Sequence, residues 1–309
     1  MERALGRRGV RWLDAMPHPP LACEIAATHV AVARGWPHAL EPLPEGAVAP
    51  SPVELNLADA GAVTARLQSV LGRLAARPGD AALLLPDQVV RVFLLHFETF
   101  PRRAEEAVPL LRWRLKKSVP FDVQDTVVSY ALQAAPPAAP GGVEVLAAVA
   151  RHRVVRQYEE VLEGAGLRPG VVVSSTLAAL ALAGEDRATL VARITGRTLT
   201  TVIARGETVC VYRCTDLPAD AARVAPAAVL DEIYPAIAYF QDTWRENVAE
   251  VKLAGFGGRF EEFRRALEAD LGGRAQPLLA PSALGGLPAE ARGLLDRQLD
   301  ALIGWGMQK

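Results

Sequence analysis

The sequence predicts an α/β protein of two lobes, the second a partial repeat of the first. Three observations carry this. A strand, small turn and strand pattern at 21–34 restarts at Leu190 as LVARITGRTLTTVIARGETVCVYRCTDL; strand-like and helix-like periodicities alternate between the two; and Gly184 to Arg187 supplies a hinge. At 309 residues the chain is long enough for two lobes of ordinary domain size. Its 34 basic and 35 acidic residues leave no global charge bias, so nucleic-acid binding is not suggested. Apolar residues come in short runs broken by Arg, Glu, Asp or Pro, well under the roughly 20 needed to span a bilayer.

Residues 1–20 form an N-terminal basic segment. It mixes Arg3, Arg7, Arg8 and Arg11 with Leu5, Val10, Trp12, Leu13 and Met16 but has no continuous apolar stretch, so it is not a secretory signal. Two readings stand: a short basic helix that touches an anionic membrane surface, or a frayed terminus. LACEIAATHVAVAR, 21–34, is a strand, tight turn and strand, after which Pro37, Pro42, Pro44 and Gly46 mark loops. From Asp59 to Arg77 the apolar residues Val63, Leu67, Val70, Leu71 and Leu74 recur at helical spacing until Pro78-Gly79 stops them. Strands at Ala82 to Leu85 and Val89 to Phe97 come next. RRAEEAVPLLRWRLKKSVPF is a charged amphipathic helix in which Pro109 marks a start or a kink. TVVSYALQ and VEVLAAVA are hairpin strands around the Pro/Ala/Gly loop at 135–142, and HRVVRQYEEVLEGAGLRPG is a helix closed by Gly164 and Gly166. Strand VVVSS and an Ala/Leu helix through Ala183 complete the first lobe, 21–184.

The second lobe, 185–309, opens with three strands, the last two joined by a hairpin turn at Arg205-Gly206-Glu207. Helix AAVLDEIYPAIAYFQDTW, strand VAEVKLAGFGG and helix RFEEFRRALEADLG follow. The tail LPAEARGLLDRQLDALIGWGM is a last helix with Leu294, Leu295, Leu299, Leu302 and Ile303 on its apolar side. Cys23, Cys210 and Cys214 are odd in number, and two of them share a strand four residues apart. A reducing compartment follows, and no metal site is expected.

Three turns sit where two such lobes would face each other: EIAATHV, RITGRTLTT and AGFGGRF. That order is the layout of the actin-like (ribonuclease H-like) ATPase fold, in which strand turns hold phosphates by backbone N–H groups and hydroxyls. The candidate nucleotide-binding residues are Glu24, Ala26, Ala27 and Thr28 in the first turn, Thr195, Gly196 and Thr198 in the second, and Gly255, Gly257 and Gly258 in the third. Each has a plain alternative: Ala26 and Ala27 stand where a phosphate loop wants glycine and hydroxyl, a Thr-rich strand needs no ligand, and a Gly cluster serves any tight turn. His29 and His96 read as strand or core residues. No catalytic constellation is legible in the spacing.

RWRLKKSVPFDVQDTVVSYALQ, followed by VEVLAAVARHRVVRQYEEVLEGAGLRPGVVVSSTLAALALA, resembles the type IV pilus assembly PilM family, and the resemblance runs from about residue 20 to the C-terminal helix. It implies an actin-like fold in which a small inserted α+β subdomain, at about 88–165, replaces the usual upper subdomain. It also implies a cytoplasmic scaffold, peripheral to the inner membrane, that binds the cytoplasmic N-terminal tail of a PilN-like membrane protein in a groove between core and insertion and contacts the pilus motor ATPases. ATP is the cofactor that this family implies, but the turns depart from its pattern. Glu24-Ile25-Ala26 and Arg193-Ile194-Thr195 stand where the family has Asp-Ile-Gly, so weak or absent nucleotide binding is expected, with Arg193 able to meet a phosphate directly. Trp113, Val119 and Phe121 are the candidate partner contacts; closing the small subdomain's core is the other reading of Trp113 and Phe121. The alternatives are an active actin-like ATPase or kinase, which needs a metal-binding carboxylate from each lobe, and a GspL-like component of a type II secretion system.

Overall fold

A computed structural model describes residues 17–183, 187–279, 294 and 299–307. Most of the N-terminal basic segment, the hinge at 184–186, and Leu295 with most of the expected tail helix lie outside the described residues.

Two five-stranded sheets repeat one plan. In the first, β1 (Leu21–Ile25), β2 (His29–Arg34), β3 (His38–Pro42), β4 (Asp80–Leu85) and β8 (Arg168–Ser174) lie in the order β3-β2-β1-β4-β8. The first three strands run antiparallel, and β1, β4 and β8 run parallel. In the second, β9 (Ala188–Thr195), β10 (Thr198–Arg205), β11 (Thr208–Asp216), β12 (Glu250–Ala254) and β13 (Ala275–Pro277) lie in the order β11-β10-β9-β12-β13, with the same directions. The central strands LACEI and ATLVARI are buried on both faces, as parallel-paired strands covered by helices must be.

Each sheet is backed by helices whose apolar stripe the sequence sets at 3.6-residue spacing. Helix α1 (Ala60–Arg73) buries Val63, Leu67, Val70 and Leu71, and Asp59 caps it by accepting from the Ala62 amide at 2.8 Å. The insertion is β5 (Arg91–Phe97), α2 (Ala104–Leu115), β6 (Thr126–Gln133) and β7 (Val143–Arg151), with an antiparallel sheet in the order β5-β7-β6. Its small core is Leu111, Leu115, Val145, Ala147 and Val149. Helix α3 (His152–Gly164) leads back to β8, and Gly166 takes φ +82° just past its end.

Three local expectations need correction. Helix α2 begins at Ala104 and passes through Pro109, so Pro109 is not its start. The expected strand from Val89 begins at Arg91, because Pro86 leads into a 3₁₀ turn at Asp87–Val89. The expected Ala/Leu helix is α4 (Ser175–Ala179) followed by a 3₁₀ turn at Leu180–Leu182.

Helices α5 (Pro226–Trp244) and α6 (Phe260–Leu271) back the second sheet, and α7 (Asp300–Gly306) comes last. Leu302, Ile303 and Trp305 of α7 share one apolar cluster with Ala22 and Leu84 of the first sheet and Val191 and Val202 of the second. Gly304 makes this possible: a Cβ there would lie 2.3 Å from the Ala178 carbonyl of α4. The insertion also reaches the second lobe, since Gln133 donates to the Val209 carbonyl at 2.6 Å and accepts from the Val209 amide at 3.2 Å.

Candidate functional site: a buried charge cluster between the lobes

Arg193 in β9 faces Glu24 in β1 across the two sheets, and the chemistry there is set by this arginine, which is 4% exposed. Its Nε donates to Asp300 Oδ2 at 2.6 Å, and its Nη1 donates to Ser175 Oγ at 2.8 Å and Thr195 Oγ1 at 3.0 Å. Glu24 and Asp87 lie 3.6 and 3.7 Å away. Asp87, in the turn after β4, accepts from the Thr176 amide at 2.9 Å, from the Thr176 hydroxyl and from Thr200 Oγ1 at 2.8 Å. Residues of the first lobe, the second lobe and α7 thus share one buried network.

One guanidinium faces three carboxylates, and the imbalance falls on Glu24. Burial pushes its carboxyl up to about 7, Arg193 pulls it down, and Asp300 and Asp87 add to the rise. Its Oε2 is buried with no hydrogen-bond partner. Burial would lower the Arg193 guanidinium, but Asp300, Asp87 and Glu24 outweigh it and hold the group above its usual range. His29 is held down to about 4, by burial and then by Arg193, so it is a neutral residue on β2.

Of the sequence-predicted residues, the structure brings Glu24 and Thr195 into this network. Ala26 is buried and closes the first turn by donating its amide to the His29 carbonyl at 2.9 Å, Ala27 is half-buried, and Thr28 is exposed and bonded to His29. Gly196 turns β9 into β10 at φ +61° in open space. Thr198 meets Gln88 of the first lobe at 2.5 Å and Asp216 at 3.3 Å. Gly255 has φ +81°, and a Cβ on it would lie 1.9 Å from the Ile194 carbonyl, so close packing of backbone on β9 already requires glycine there. Gly257 and Gly258 are exposed in a 3₁₀ turn.

A Mg²⁺–nucleotide does not fit these residues. The position between β1 and β9 where acidic groups of both lobes would hold the metal's waters carries a guanidinium already paired with carboxylates, and a second cation beside it is repelled. Nor is Arg193 free to meet a phosphate. Among the described residues no cluster of three His, Cys, Asp or Glu side chains forms a metal site.

Sequence reasoning missed Asp87, Ser175, Thr176 and Asp300. The signals were polar residues inside apolar surroundings: Asp87 after LLLP, the hydroxyls of Ser174 to Thr176 before LAALALA, and Asp300 in the run preceding ALIGW. Of the candidate partner contacts, Trp113 is 72% exposed on α2, Val119 is buried, and Phe121 packs on the insertion's core.

No family model matches the chain, and no curated protein matches it. Among solved structures, a chain of the PilM-PilN type IV pilus biogenesis complex is 20% identical, with TM-score 0.71 over 95% of this chain and 100% of that one. A Bacteroides thetaiotaomicron protein described as having an actin-like ATPase fold and unknown function is 12% identical over 89% of this chain and 94% of that chain, with TM-score 0.47. The first of these likenesses and the repeated strand order together show the fold: this is an actin-like, two-lobe α/β chain with a three-stranded insertion.

Proposed function

We propose that this chain is a non-catalytic scaffold of a type IV pilus assembly platform, cytoplasmic and peripheral to the inner membrane, that binds the cytoplasmic tail of a PilN-like membrane protein. The end-to-end likeness to a chain of the PilM-PilN complex carries this reading. Arg193 supports its non-catalytic part, because metal-assisted phosphoryl chemistry needs charge that this position opposes. The seat for the tail is the gap between β6 and β7 of the insertion and β8 of the first lobe, about 70 Å³ walled by Tyr130, Leu146, Ala148, Val173 and Leu177. An extended apolar peptide suits such a wall. Trp113, exposed on α2, then serves a larger partner such as a motor ATPase.

The test is fluorescence anisotropy with a labelled N-terminal peptide of the PilN-like protein from the same genome. Saturable binding is expected, unchanged by Mg-ATP and weakened at least roughly tenfold by Ala148→Phe, which fills the gap. Absence of peptide binding together with Mg-dependent ATP turnover would reverse the assignment in favour of an active ATPase.

A further inference from the structure

A second cleft lies between β5, the segment after α2, and β11 of the second lobe. It encloses about 500 Å³, and its walls include Arg91, Phe93, Lys117, Val119, Tyr212 and Cys214. That volume lies within the roughly 300–1,000 Å³ of small-molecule sites.

Its charge is one-sided. Arg91 and Lys117 reach it from two segments of the insertion, and no carboxylate lines it. The Nε of Arg91 is shielded from solvent and has no hydrogen-bond partner, a condition that buried donors rarely keep without a ligand or water. Asp87 and Asp216, the acidic groups that act on neighbouring Cys214, are engaged elsewhere: Asp87 by Thr176 and Thr200, and Asp216 by Thr198. Phe93, Val119 and the Tyr212 ring supply an apolar wall beside the two cations. Two cations at the edge of an apolar cleft select a dianion on an apolar body.

We propose that this cleft binds a phosphate monoester of about nucleoside-monophosphate size, the phosphate held by Arg91 and Lys117 and the ring laid against Phe93 and Val119. Tyr212 and Cys214 of the second lobe wall the same cleft, so a ligand that fills it bridges the insertion and that lobe. It uses none of the residues of the interlobe cluster, and it stands whether or not the chain serves a pilus.

The experiment is isothermal titration with AMP, adenosine and inorganic phosphate, paired with hydrogen exchange to locate the ligand. AMP is expected to bind saturably, adenosine and phosphate each at least about tenfold more weakly, with protection at 90–93, 117–120 and 212–214. Lys117→Gln, on an exposed side chain that does not endanger the fold, and Arg91→Gln should each weaken AMP about tenfold or more. A silent AMP titration, full affinity in Lys117→Gln, or protection at the 255–258 turn in place of these segments would overturn the assignment.

Discussion

Arg193 decides the character of the interlobe site, and its removal separates stability from chemistry. Arg193→Met leaves Glu24, Asp87 and Asp300 buried without their cation, which costs roughly 3–5 kcal/mol, read as a lower urea midpoint. Asp300→Asn keeps a polar partner for the guanidinium and relieves part of the excess negative charge, so its cost should stay below about 2 kcal/mol. Equal losses in the two variants would contradict the one-to-three charge balance. Glu24 gives the pH counterpart. Its carboxyl is raised in the folded state from 4.5 to about 7, so the folded protein holds the proton more tightly than the unfolded chain. The stability this contributes is complete below pH 4.5 and is lost as pH rises through about 7. At about 1.4 kcal/mol per unit, the advantage of Glu24→Gln over the wild type should grow by about 3 kcal/mol between those limits and then level off. A difference that stays flat across the window means that Glu24 is ionised throughout.

At the scale of elements, α7 acts as a wedge that both lobes grip, and Gly304 is the point of closest approach. Gly304→Ala places a Cβ 2.3 Å from the Ala178 carbonyl and 2.8 Å from the Ala179 Cα, backbone atoms that cannot swing aside. A loss of about 1–3 kcal/mol is expected, as for other overpacked sites. Because Asp300 opens the same helix, the loss should come with faster hydrogen exchange around Arg193. Unchanged exchange there would separate the helix from the charge cluster. Most elements were legible because their signal is local: period-two strands on either side of Gly206, the Val63 to Leu71 stripe of α1, and glycine after α3. The failures share a cause. Pro86 and Pro109 punctuate the sequence equally, yet the strand edge yields to a 3₁₀ turn at the first, while tertiary packing of Ala107, Leu111 and Leu115 carries α2 through the second.

For the whole molecule, the repeated strand pattern could be read from sequence, without β3, which falls where loops were expected, and without β13, but the cluster between the sheets could not. Its members come from β1, the turn after β4, the start of α4, β9, β10 and α7, and no motif spacing joins positions 24, 87, 176, 193, 200 and 300. Glu24 and Arg193 stood out only because they occupy matching places in the repeated lobes, a relation that the duplicated strand order makes physical. The consequence is a molecule whose lobes are clamped by their own side chains, through Arg193–Ser175, Thr200–Asp87 and Gln88–Thr198. In a fold whose cleft closes on a ligand, the ligand selects the closed state by differential contact; here the contacts are already made. Small-angle scattering with and without Mg-ATP should therefore give one radius of gyration. Arg193→Met, if it remains folded, should give a larger one, because Asp87 of the first lobe and Asp300 of the second then repel with no cation between them. Should the wild type contract on adding Mg-ATP, the lobes are not clamped by this cluster, and Arg193 must leave Ser175 when the nucleotide arrives.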